Sequence, residues 1–152
     1  MRHHTLAWAR LACFAVVVLV ATDPAVAAMK ITTATILIPE GGKSTLLAGL
    51  EYGVEWKVAF TSVRLQLDPK EGADPVRPVW VFVATSSRPM VQKVIIEIHL
   101  LDDLGKKIKS VKQFVIVKSN TERQEIPIKM KVKRDDWERV EKARIKTTFT
   151  VL

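Results

Sequence analysis

The chain has 152 residues, with 24 Lys and Arg against 16 Asp and Glu, one cysteine and three histidines, for a formal charge of +8. That length suits one domain with a real core, while so few thiols and imidazoles exclude a disulfide scaffold and a Cys/His metal cluster. The basic excess points to an anionic contact or to a charged, solubilising face.

The first element is a leader. Arg2 and Arg10 precede the apolar run Leu11 to Ala21, and Ala25-Val26-Ala27-Ala28 supplies small residues for a signal peptidase. This is the three-part secretory pattern, with an apolar run too short for a transmembrane helix. Cleavage is expected after Ala27, with Ala28 the second choice. An exported product follows, in the periplasm or outside the cell. Cys13 lies upstream of the apolar run with Arg10 three residues before it, which is not a lipobox. Residues 28–152 then form one domain of 125 residues without cysteine, with 22 basic and 15 acidic side chains.

Lys30 to Ile38 is threonine-rich and β-branched, hence a first strand, ended by Pro39-Glu40-Gly41-Gly42. Ser44 to Leu50 reads as an irregular loop or a short helical turn. Val54 to Leu67 is a long strand whose apolar positions change parity: Val54, Trp56, Val58 and Phe60, then Val63, Leu65 and Leu67. One extra residue near Thr61-Ser62 explains the change, as a bulge or a crossing between sheets. Asp68 to Arg77 is loop-forming, and Pro78 to Ala84 is a strand apolar on both faces.

Two aliphatic runs, Val91 to Leu101 and Ile108 to Val117, flank Asp102-Asp103-Leu104-Gly105-Lys106, a β-hairpin signal. Val94, Ile96, Ile98 and Leu100 make one face, with Glu97 and His99 on the other. Ile126 to Lys133 alternates cleanly, Ile126, Ile128, Met130 and Val132 inward and Lys129, Lys131 and Lys133 outward, and Pro127 favours an edge. Asp135 to Lys142 is the one helical segment, with Asp135 a candidate cap and Trp137, Val140 and Ala143 plugging the core. Ala143 to Val151 is the last strand. About seven strands with short turns and no βαβ spacing predict an all-β, antiparallel immunoglobulin or fibronectin type III-like sandwich with one short helix before the last strand. A small β-barrel is the runner-up.

Catalytic signals are missing. Gly41-Gly42-Lys43-Ser44-Thr45 resembles the end of a phosphate-binding loop, yet position 37 is Leu where that loop needs its first glycine. Asp102-Asp103 and Asp135-Asp136 lack the ligand spacing of a calcium site. Ser86, Ser87 and His99 show no nucleophile elbow. No enzyme activity, metal or cofactor is expected. Contact is expected instead at Lys129, Lys131, Lys133, Arg144 and Lys146, one positive face if their two strands adjoin, or at Val79, Val81 and Val83 of the two-sided apolar strand. Outward aromatics for base stacking are lacking, so nucleic acid is not the expected partner.

Ile98-His99-Leu100-Leu101-Asp102-Asp103-Leu104-Gly105-Lys106 resembles the signature of bacterial FxLYD-type domains, with Ile98 and Leu101 where that pattern has phenylalanine and tyrosine. The resemblance implies an exported, non-catalytic immunoglobulin-like sandwich. The expected role is binding or scaffolding in the cell envelope, with another envelope protein or an anionic envelope surface as partner. The alternative is a carrier of a small apolar ligand held between the sheets near Trp56, Trp80 and Trp137.

Overall fold

A computed structural model describes residues 29–67 and 72–150; the leader with its cleavage site, residues 68–71 of the loop, and residues 151–152 lie outside these. Among the described residues the strands are β1 (Met29–Leu37), β2 (Ser44–Leu46), β3 (Glu51–Tyr52), β4 (Val58–Gln66), β5 (Val79–Ser86), β6 (Gln92–Leu101), β7 (Lys107–Val117), β8 (Thr121–Lys129) and β9 (Lys142–Thr150), with one helix, α1 (Arg134–Glu138), between β8 and β9. All pairings are antiparallel and fall into two sheets, β1-β9-β6-β7 and β2-β4-β5-β8, with β3 also on β4.

The core lies between the sheets. Val94, Ile96, Ile98 and Leu100 of β6 and Ala143, Ile145 and Phe149 of β9 are fully buried, as are Phe60, Val63 and Leu65 of β4 and Trp80, Phe82 and Ala84 of β5. Phe60 joins the two layers: its ring is 6.1 Å from that of Phe82, nearly perpendicular, and 6.1 Å from that of Phe149 in the other sheet. Offset and edge contacts of this kind are the favoured aromatic geometries.

The parity change in β4 is a bulge: the register on β5 slips between Phe60 and Ser62. The strand does not change sheet. The extra residue, Thr61, returns Val63 and Leu65 to the inner face already used by Val58 and Phe60. The apolar pattern upstream of Val58 does not belong to the strand. Gly53, at φ +105°, turns the chain where a Cβ would collide with the Trp56 carbonyl, and Val54 and Trp56 are left 99% and 52% exposed. Ser44 to Leu50, expected as loop or helical turn, starts with the short strand β2 on β4.

The hairpin forms as its sequence indicates. Asp102 Oδ1 accepts the N–H groups of Leu104 (3.0 Å) and Lys106 (2.8 Å), and Gly105 supplies φ +79°. After β8, the alternating pattern continues off the sheet, where Val132 and Val76 form an isolated bridge. Helix α1 is a single turn capped at Lys133, so Asp135 sits inside the first turn and is not the cap. Trp137 and Val140 still pack against the core and Ala143 is buried.

Candidate interaction surface

Expected contact residues divide between two sheets. Lys129 lies on β8, which pairs with β5, whereas Arg144 and Lys146 lie on β9, which pairs with β1 and β6. The two strands do not adjoin, so their lysines do not form one positive face; outward side chains of two packed sheets point in opposite directions. Alternation establishes outwardness but says nothing about which sheet a strand enters.

On the β4-β5-β8 side, Val79, Lys129 and Lys131 meet Arg77 and Met130 around a depression of about 210 Å³. Three cations and no carboxylate line it, and it is smaller than the usual small-molecule site. Lys133 lies beyond it at the helix cap. Val81 and Val83 are only 5% and 7% exposed. The register explains why: Arg64 stands beside Val81 and Glu125 beside Val83, on the strands flanking β5. Their bidentate pair, at 2.9 and 3.2 Å, therefore crosses over the apolar strip. Arg123 adds a third bond to Glu125 at 3.1 Å. Hydrogen bonds from Arg64 first and Arg123 second hold the Glu125 carboxyl at about 2, below its ordinary 4.5.

The outer face of β1-β9-β6-β7 is more open. The strand registers build transverse rows, of which Ile31, Thr148, Ile95 and Phe114 form the most apolar. Ile31 and Phe114 are 56% and 55% exposed, and Met29 and Ile116 extend the band by a further row. The adjoining row is Thr33, Lys146, Glu97 and Lys112, and the next is Thr35, Arg144, His99 and Ser110. Lys93, Lys112, Lys142, Arg144 and Lys146 thus face outward against a single carboxylate, Glu97, which Lys146 approaches to 3.5 Å. His99 lies 4.0 Å from Glu97. Partial burial lowers its pKa, with Lys107, Arg144 and Lys146 adding to the effect and Glu97 opposing it.

Phe114, Ile116 and Ile31 were absent from the sequence-based set. The signal for them was available: in Ile108 to Val117 the apolar residues Phe114 and Ile116 share parity with Lys112, and so lie on a polar, outward face. Aliphatic character alone had suggested a strand without indicating that it exposes a patch.

Gly41-Gly42-Lys43 forms a turn, with Lys43 N–H donating to the Glu40 carbonyl at 3.0 Å and Lys43 Nζ paired to the Glu40 carboxylate at 2.9 Å. Among the described residues no group of three or more His, Cys, Asp and Glu is placed to hold a metal ion, and no helix is long and apolar enough to cross a membrane. Of the three tryptophans expected around an apolar ligand, Trp80 is fully buried, Trp137 packs partly against the core and Trp56 is exposed.

No family model matches the chain, and no curated protein does. Among solved structures it is similar to the crystal structure of the bacteriophage CBA120 tailspike protein 4 enzymatically active domain, at 8% identity and a TM-score of 0.27, over 82% of this chain. The chain spans 17% of that one's length.

Proposed function

We propose that the protein is an exported, non-catalytic module that binds an anionic surface of the bacterial cell envelope through the outer face of β1-β9-β6-β7. The observation that carries this reading is the composition of that face: five cations against one carboxylate, beside an exposed apolar band of Met29, Ile31, Phe114 and Ile116. Exposed apolar groups rimmed by charge mark contact sites, and basic residues near an anionic bilayer are each worth about 1 kcal/mol. An immunoglobulin-like sandwich fits the strand order. The set β4-β5-β8 against β7-β6-β9-β1 parallels A-B-E against C′-C-F-G, with the last position filled by the chain's first strand.

Co-sedimentation with vesicles tests the reading. The protein should sediment with phosphatidylglycerol-containing vesicles and not with pure phosphatidylcholine, and added salt should release it. Combined Lys93→Glu, Lys112→Glu and Lys142→Glu should weaken binding by more than about tenfold. Reversal of Lys129, Lys131 and Lys133, away from this face, should leave it within about twofold. Binding that ignores the first set and is lost with the second would reject the assignment.

A further inference from the structure

The backbone edge of β1 carries a further inference, although the strand shares Met29 and Ile31 with the proposed contact face. Ile38 N–H donates to the Glu141 carbonyl (3.3 Å), continuing the β1–β9 register by one pair. Backbone groups alternate sides along a strand, so the even residues of β1 face β9. The N–H and C=O groups of Met29, Ile31, Thr33, Thr35 and Leu37 face away, and among the described residues no strand pairs with them.

The other long or exposed edges are defended, each by a device that discourages pairing. β2 and β3 are three and two residues long. β8 contains Pro127. β7 carries Lys107, Lys109 and Lys112, and the Gln124 amide occupies its far end, accepting Lys118 N–H (2.8 Å) and donating to the Ile116 carbonyl (2.9 Å). β1 has nine residues, no proline and Lys30 as its one charge.

We propose that β1 pairs antiparallel with β1 of a second copy of this chain, joining two four-stranded sheets into one of eight. Centred on Thr33 opposite Thr33, the register is self-complementary. Met29 meets Leu37 and Ile31 meets Thr35 on the outer face, covering three exposed apolar side chains, and Lys30 meets Ile36. All outward backbone groups find partners and no like charges stand opposite one another, the arrangement a twofold interface requires. The nearest matched cations, Lys146 on β9 of each copy in register with Thr33, end up about 14 Å apart at ordinary strand spacing, beyond a screening length of about 8 Å. One strand edge is smaller than a standard interface, so the dimer is weak and concentration-dependent.

Sedimentation velocity of the full chain, purified from an expressing host in a Cys13→Ser background, reads the association directly. The expected result is a shift from monomer to dimer with rising concentration. Thr33→Pro removes only an edge-facing N–H and leaves the β1–β9 ladder intact; Ile31→Lys adds a charge at the edge. Each should raise the dissociation constant at least about tenfold, with the melting temperature reporting that the variants fold. In the same background Thr33→Cys should oxidise to a disulfide-linked dimer, because paired residues lie about 5.5 Å apart, and Thr35→Cys should not. Monomer at every concentration without the Thr33→Cys disulfide overturns the proposal. So does a dimer indifferent to both edge variants, or one that cross-links in the Thr35→Cys variant instead. A monomer that takes up an added extended peptide on β1 also overturns it, assigning the edge to a different chain.

Discussion

Two guanidinium groups converge on the Glu125 carboxylate, and their hydrogen bonds hold its pKa at about 2 against an ordinary 4.5. A carboxyl depressed by folding stabilises the protein above its unfolded pKa and loses that contribution as pH falls toward the folded one. Glu125→Gln should therefore melt below wild type at about pH 6, and the gap should close between about pH 4.5 and pH 2. A gap that persists at pH 2 would show that the side chain acts through packing over Val81 and Val83 and not through charge. His99 shifts in the same sense for stability: with its pKa lowered, acid protonates the unfolded chain first and the folded state loses stability as pH drops below 6.5. Neither effect is legible in a linear sequence. Arg64 and Glu125 are sixty-one positions apart and meet across β5.

Hairpin, bulge and helix differ in how far local chemistry decides them. The β6–β7 turn is local: Asp102 accepts two N–H groups within four residues and Gly105 takes the left-handed position. Asp102→Ala should cost about 1 kcal/mol in chemical denaturation, because the N–H groups of Leu104 and Lys106 lose their shared acceptor while the two strands keep their ladder. The β4 bulge was also readable, since one extra residue is what a parity change requires. Its consequence was not: a sheet crossing and a return to the same face write the same alternation, and only pairing with β5 chooses between them. The start of β4 was misread because Val54 and Trp56 keep the parity of Val58 and Phe60, although the Gly53 turn has taken them off the sheet.

Taken as a whole, the molecule depends on contacts between layers. Phe60 bridges Phe82 and Phe149, and Phe60→Ala should destabilise by about 3–5 kcal/mol in urea unfolding; a loss under about 1 kcal/mol would mean that the two sheets are held together elsewhere. The sequence alone located the long strands in outline, the hairpin turn and most inward residues, and showed that the chain is dominated by antiparallel β structure, but it missed the short strands β2 and β3 and the true start of β4. What it located follows from a two-residue period and from turn chemistry, both properties of neighbours along the chain. Tertiary structure decided which strands share a sheet. That choice set Lys129 and Lys131 around one depression and Arg144 and Lys146 on the other layer, closed Val81 and Val83 beneath Arg64 and Glu125, and brought Ile31, Ile95 and Phe114 into one row. Outward positions look identical in sequence whichever layer they face. The free energy that sorts strands between layers comes from long-range packing of Phe60, Trp80, Ile98 and Phe149, and the alternation along a single strand carries no record of it.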